Sequence, residues 1–205
     1  MPLGALFGDT LEVLDAVGLP VAPLRDAGRR LIIEVPGGPT YITTRPSDVP
    51  TYVESGAADV GIVGRDVLLE RQPDAYELAD LRFGGCRMSW CTPAGDDPTA
   101  DAVARFGVVR VATKYVNCAE RFFESTGRKA EIVKVNGSVE LAPLVGLSDG
   151  IVDLVATGQT LRENGLVERE AIFQSTARLI ANRVSHKMRA AELDDLVRRM
   201  EQVVA

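Results

Sequence analysis

The apolar positions of this chain switch between a helical and an extended period along its whole length. Leu6, Leu11, Leu14 and Val17 recur at helical spacing and Gly18 follows them, which predicts an amphipathic helix over residues 8–17. Nothing long enough to read as a strand precedes it. Leu31 to Val35 and Thr40 to Thr44 are rich in β-formers and are joined by Pro36-Gly37-Gly38-Pro39, the pattern of a hairpin. Ser47 stands where it caps a helix running through Val49, Tyr52 and Val53 to Gly56, with Asp48 in the first turn. Residues 58–63 then read as a strand, and Gly64-Arg65-Asp66 turns into a short helix.

Strand-like stretches at Leu81–Phe83 and Cys86–Cys91 are separated by Gly84-Gly85, and a polar loop runs from Pro93 to Pro98. Beyond it, residues 108–113 form a strand, 117–126 a helix stopped by Gly127, and 130–135 another strand. Asn136-Gly137-Ser138 opens a helix toward Val145, and Ile151 to Val155 is a short buried strand. A short helix follows from Leu161 to Asn164. Residues 171–180 read as one long strand, and Leu193, Val197, Met200 and Val204 mark a closing amphipathic helix over 188–204. Strand, turn and helix in alternation predict an α/β fold with mainly parallel sheets. The glycine pair and the long strand suit two crossings between lobes, one of residues 1–84 plus 177–205 and one of residues 85–176.

Composition narrows the function classes. With 205 residues, 46% hydrophobic and 25% charged, the chain can bury a sizeable core in one large domain or two small ones. A net charge of -6, with Lys and Arg spread out, argues against a nucleic-acid binder. Cys86, Cys91 and Cys118 have neither zinc-site spacing nor an even count, so reduced thiols and a cytoplasmic location are expected. The N-terminus has no signal-peptide pattern, and no run approaches the ~18 apolar residues of a membrane span.

The chemistry concentrates after Ile151–Val155. Thr157-Gly158-Gln159-Thr160 offers hydroxyls, a residue without Cβ and consecutive amides where a helix begins, which is what an oxyanion needs. Asp153 lies upstream on the strand, where its carboxylate reaches the sugar hydroxyls of a ligand whose phosphate rests in the turn. The pair suggests a phosphoribosyl group, while an ordinary strand-to-helix turn with a hydroxyl cap would use the same four residues. Lys114, between a strand and a helix, reads either as solvated or as facing a ligand. Glu140 reads either as orienting a ribose hydroxyl or Mg2+, or as stabilising its own helix. Arg29, Arg30 and Arg45 flank the hairpin, where such arginines are often solvated or paired. The sole histidine, His186, receives no role.

The longer spacing tips the balance. Glu140, Gly146, Ser148, Ile151, Asp153, Leu154 and then Thr157-Gly158-x-Thr160-Leu161 resembles the signature of the ATP phosphoribosyltransferases, which open histidine biosynthesis. Arg45 to Glu54, Ala58 to Leu68, Ala112 to Tyr115 and Asn136 to Glu140 also look like that family, so the resemblance covers nearly the whole chain. It implies a two-lobed fold of the periplasmic-binding-protein type II class with a cleft between the lobes, in the short form that lacks a C-terminal regulatory domain. It implies transfer of phosphoribosyl from phosphoribosyl pyrophosphate to N1 of ATP with release of pyrophosphate. The sugar-phosphate would be bound by Asp153, Thr157, Gly158, Gln159, Thr160 and Leu161, with catalytic roles for Arg30 and Arg45 and substrate or Mg2+ contacts from Lys114 and Glu140.

Mg2+ is the implied cofactor, held by pyrophosphate oxygens with no fixed protein ligand. The implied partner is a regulatory subunit resembling histidyl-tRNA synthetase, in a hetero-octamer inhibited by histidine. Two departures stand out. The family's Pro-Lys-Gly-Arg-like turn before the first helix is Pro2-Leu3-Gly4-Ala5 here, which leaves an upstream start, a shortened chain or impaired activity as expectations. Gln159 occupies a position often basic in the family. A two-lobed binding protein for a phosphorylated solute, and a phosphoribosyltransferase with another acceptor, are the alternatives.

Overall fold

The computed structural model describes all 205 residues. Its elements in chain order are α1 (Phe7–Ala16), α2 (Ala22–Arg25), β1 (Ile32–Glu34), β2 (Thr40–Ile42), a 3-10 turn (Pro46–Asp48), α3 (Val49–Glu54), β3 (Val60–Gly64), α4 (Arg65–Arg71) and β4 (Tyr76–Asp80). There follow β5 (Cys86–Pro93), α5 (Thr99–Phe106), β6 (Val109–Thr113), α6 (Val116–Ser125), β7 (Ala130–Lys134), α7 (Leu141–Leu144), β8 (Gly150–Val155), α8 (Gln159–Glu163) and β9 (Leu166–Ser175). The chain ends with β10 (Ala177–Ala181), α9 (Arg183–Met188) and α10 (Ala190–Val204). They group into two compact units, Met1–Gly85 with Thr176–Ala205, and Cys86–Ser175.

In the first unit, β1 and β2 form the hairpin, with Ile32 opposite Ile42. A second sheet has the order β3-β10-β4. Ile62, Ala79 and Leu179 pack with Leu11 and Leu14 of α1 and Met200 of α10. Val63 and Ile180 pack with Val49 and Val53 of α3 and Val67 of α4. The sheet is therefore apolar on both faces, as its nearly unbroken β-branched strands require. Pro2 bridges to Thr44 in parallel, and the Met1 ammonium donates to the Ile42 carbonyl at 2.6 Å. Burial lowers that ammonium's pKa to about 6. A cavity of about 460 Å3 between β2 and β3 is lined largely by core side chains such as Leu14, Leu193 and Met200 and carries none of the candidate residues.

The second unit is one sheet of order β7-β6-β8-β5-β9. β6 runs parallel to β7 and β8, whereas β5 runs antiparallel to β8 and β9. Trp90 on β5 and Phe123 on α6 are fully buried in edge-to-face contact, 5.2 Å between ring centroids. Gly150 opens β8 where no other residue fits, since a Cβ there would lie 2.3 Å from the Trp90 ring and 2.5 Å from the Cys91 carbonyl oxygen.

Several expectations need correction. The sheets are mixed rather than mainly parallel, because β10 runs antiparallel to both β3 and β4. The strand expected at Leu81–Phe83 lies upstream, as β4. Arg82 adopts a left-handed φ of 58°, which no strand accommodates, and its amide bonds the Asp80 carboxylate instead. Ser47 caps nothing: its hydroxyl bonds Asp48, and α3 starts two residues later on Pro50-containing backbone. The helix expected from Ser138 is the single turn α7, because Ser138 has a positive φ of 47°. The long strand breaks at Thr176, where the chain passes between the units. Helix α5, directly after the polar loop, has no counterpart among the expected elements.

Candidate functional site

Within the second unit the candidate residues gather where the parallel strands β6 and β8 end, the position at which α/β sheets bind ligands. Asp153 projects from β8, and its Oδ1 accepts the Leu154 amide at 2.8 Å. Lys114, the first residue after β6, places Nζ 3.8 Å from the same Oδ1 and 4.9 Å from the Tyr115 ring centroid. Thr113, fully buried, ties the two strand ends together. Its hydroxyl donates to the Val152 carbonyl at 2.6 Å and accepts the Tyr115 amide at 2.9 Å, which fixes the bend carrying Lys114. A cation and a carboxylate thus stand side by side, and the side chains remain 44% and 24% exposed.

The turn after β8 follows from local chemistry. Gly158 has φ 72°, a conformation that costs glycine nothing, and it stands immediately ahead of α8. The Gln159 amide bonds the Thr157 hydroxyl at 3.3 Å, and the Gln159 side chain bonds Glu163 at 2.7 Å. Gln159 is thus engaged by its own helix. The amides of Gly158, Thr160 and Leu161 have no acceptor on the chain. Leu161 buries its side chain in the cluster that holds Val155, Ile151 and Ala142, which leaves its backbone amide as its polar group at the turn. The arrangement is a shallow, donor-rich turn anchored from beneath by a leucine.

Four side chains that sequence reasoning missed brace this corner. Arg87 of β5 grips Glu168 of β9 through Nε at 2.6 Å and Nη2 at 2.5 Å, and its Nη1 donates to the Ala156 carbonyl at 3.3 Å. Ser89, opposite Asp153 in register, donates to Glu168 at 2.8 Å. Arg162 of α8 folds back so that Nη1 donates to the Thr157 carbonyl at 3.1 Å. The Arg87 guanidinium holds the Glu168 carboxyl below its ordinary range, with Ser89 assisting against the opposing effect of burial. Cys91 lies in the core below; burial, with Glu168 and Asp153 adding to it, pushes its thiol up to about 12, so it stays protonated. Alternation along β5 places Arg87, Ser89 and Cys91 on one face, the only sequence signal that could have joined them.

Three other candidates are Glu140, Arg30 and Arg45. Glu140 precedes α7 with helical φ and ψ of -58° and -22° and makes no capping bond, between the buried Val139 and the exposed Leu141. Arg30 and Arg45 belong to the first unit and are solvent-exposed. Arg30 folds onto the segment following α2, donating to the Ala27 and Asp26 carbonyls at 3.1 and 3.0 Å. Arg45 enters the 3-10 turn in extended conformation. His186 packs edge-on against Tyr76, 5.2 Å between centroids. No group of three or more His, Cys, Asp or Glu side chains is placed to hold a metal ion, and no helix is long and apolar enough to cross a membrane.

Comparison with known proteins follows the same lines. The family model of HisG, ATP phosphoribosyltransferase, matches residues 45–202. The ATP phosphoribosyltransferase of Rubrobacter xylanophilus is 54% identical over 198 residues, covering 96% of this chain and 91% of that one. That of a Geobacillus species is 46% identical over 205 residues, covering 100% and 97%. Among solved structures, the ATP phosphoribosyl transferase (HisG:HisZ) complex of Thermotoga maritima contains a chain similar to this one, with a TM-score of 0.83, 32% identity and coverage of 99% and 96%. The periplasmic aliphatic sulphonate binding protein SsuA of Escherichia coli, with a TM-score of 0.60 and 12% identity over 95% of this chain and 65% of that one, shares the fold alone. By its matched length and by these identities, the chain belongs to the ATP phosphoribosyltransferase family.

Proposed function

We propose that this protein transfers the 5-phosphoribosyl group of phosphoribosyl pyrophosphate to N1 of ATP, releasing pyrophosphate, as the first step of histidine biosynthesis. The observation that carries the reading is the meeting of Asp153, Lys114 and the Thr157–Leu161 turn at the ends of β6 and β8, in a chain of this family. The 5-phosphate rests on the amides of Gly158, Thr160 and Leu161 with the Thr157 and Thr160 hydroxyls, and Asp153 accepts from the ribose hydroxyls. Lys114 pairs with Asp153 at 3.8 Å and offers a donor to the substrate. Arg30 and Arg45 of the first unit supply positive charge to the two polyanions.

In the reaction, N1 of adenine bonds to C1 of the ribose while the bond from C1 to pyrophosphate breaks. The sugar passes through an oxocarbenium-like state, so positioning and electrostatics do most of the work and no protein nucleophile is required. The protonated Cys91 is in keeping with that. The residues present fit Mg2+ held chiefly by substrate oxygens, since Asp153 offers a hard, partly exposed carboxylate beside the turn. When bound, the ion supplies charge neutralisation for the departing pyrophosphate.

The similar Thermotoga maritima chain is part of a HisG:HisZ complex, which supports a second subunit as partner; the family resemblance further implies that this subunit is regulatory, resembles histidyl-tRNA synthetase and joins a cytoplasmic hetero-octamer through which histidine inhibits. Pyrophosphate release from phosphoribosyl pyrophosphate and Mg2+, with and without that subunit, tests the reading. Release that requires ATP supports it. Release with free bases instead of ATP would mean another acceptor, and binding of phosphoribosyl pyrophosphate without release would mean a binding protein.

A further inference from the structure

Two arginines hold successive carbonyls of the turn that receives the 5-phosphate. Arg87 Nη1 donates to the Ala156 carbonyl at 3.3 Å, and Arg162 Nη1 donates to the Thr157 carbonyl at 3.1 Å. All peptide bonds of the chain are trans, so each carbonyl points opposite to the amide of the following residue. Fixing the Ala156 oxygen therefore fixes the direction of the Thr157 amide. Fixing the Thr157 oxygen fixes that of the Gly158 amide. The turn needs such restraint, because Gly158 at φ 72° is the residue with the most freedom to let its flanking peptide planes rotate.

The two arginines differ in how they are held. Arg87 has its charge answered by Glu168 at 2.6 and 2.5 Å, and Glu168 is held in turn by Ser89 at 2.8 Å, so the guanidinium is a fixed strut between β5, β9 and the end of β8. A guanidinium can bind a carboxylate through two nitrogens and a carbonyl through a third; an ammonium cannot keep that geometry. Arg162 belongs to α8 itself and lies over the turn, its Nη1 3.2 Å from where a side chain at Gly158 would begin.

We propose that Arg87 and Arg162 are positioning residues for phosphoribosyl transfer, holding the two peptide planes between residues 156 and 158 so that the Thr157 hydroxyl and the Gly158 amide face the 5-phosphate before it arrives. Neither needs to touch the reacting atoms. The inference rests on the reading that this turn binds the sugar-phosphate.

The test uses the full chain with its regulatory subunit. Arg162→Gln removes an exposed side chain and should leave the melting temperature nearly unchanged. It should raise the KM for phosphoribosyl pyrophosphate about ten-fold, the effect of one mispositioned hydrogen bond, with the KM for ATP unaltered. Arg162→Lys, which can still reach the carbonyl, should recover most of the loss. In the ligand-free protein the backbone 15N order parameter at Gly158 should be lower in Arg162→Gln than in wild type. Arg87→Met should act in the same direction, and Arg87→Met/Glu168→Gln shows whether the effect persists once no unpaired carboxylate remains.

If wild type turns over but both single variants keep its KM for phosphoribosyl pyrophosphate and its Gly158 order parameter, the positioning role is wrong and the functional reading survives. If wild type itself neither binds nor consumes phosphoribosyl pyrophosphate, the functional reading fails and takes the inference with it. Should Arg87→Met not fold, Arg162→Gln alone decides.

Discussion

Asp153 is the residue on which the proposed chemistry turns, and its surroundings suit a carboxylate. It stands beside Lys114 at 3.8 Å and receives the Leu154 amide at 2.8 Å, so two donors orient it without burying it. Replacing it by alanine should raise the KM for phosphoribosyl pyrophosphate or lower kcat by about 10- to 100-fold, the worth of a charge-assisted hydrogen bond. Because the side chain is partly exposed, the melting temperature should hardly move. Thr157→Ala should cost less, about ten-fold, since the neighbouring amides remain; steady-state kinetics on both variants, with thermal melting as control, check this pair. The sequence made these residues legible because they share one short segment with fixed spacing. It left Arg87 and Glu168 illegible, since 81 positions separate them and nothing local marks their meeting.

At the level of elements, β8 and the turn after it depend on their neighbours. Gly150 admits no Cβ against Trp90 and Cys91, so Gly150→Ala should destabilise the second unit by about 1–3 kcal/mol or more, read by denaturant unfolding. The Arg87–Glu168 pair makes part of the stability pH-dependent. Glu168 titrates lower in the folded protein than its ordinary 4.5, so its contribution is complete above that value and is lost as pH falls through the lower folded pKa. Thermal melts between about pH 3 and 6 should therefore show a steeper acid decline in wild type than in Glu168→Gln; parallel curves would remove the pair as the cause.

Elements with a strong period were readable: α1, the hairpin, β6, α6, β7, β8 and α10 fall close to where their apolar spacing puts them. Those set by backbone conformation were not. Arg82 and Ser138 adopt positive φ, which no apolar pattern reports, and they move one strand and shorten one helix. Direction of strands was equally hidden, because alternating strands and helices look the same whether β10 enters a sheet parallel or antiparallel.

For the molecule as a whole, membership in the ATP phosphoribosyltransferase family and the donor-rich corner of the second unit point to one reaction. If Arg45 has the proposed role, Arg45→Ala should lower turnover by about ten-fold or more, in keeping with lost electrostatic stabilisation, while leaving the melting temperature intact. Each unit has its own core, so substitutions at the corner should not propagate into the sheet of the first unit. The central claim concerns one bond, and it can be observed. The protein, with its regulatory subunit and Mg2+, is incubated with ATP labelled with 15N at N1 and phosphoribosyl pyrophosphate labelled with 13C at C1. The account predicts a one-bond 13C–15N coupling in the product, with pyrophosphate released in equal amount. Unchanged substrates, or 13C bonded to any atom other than N1 of ATP, would contradict it.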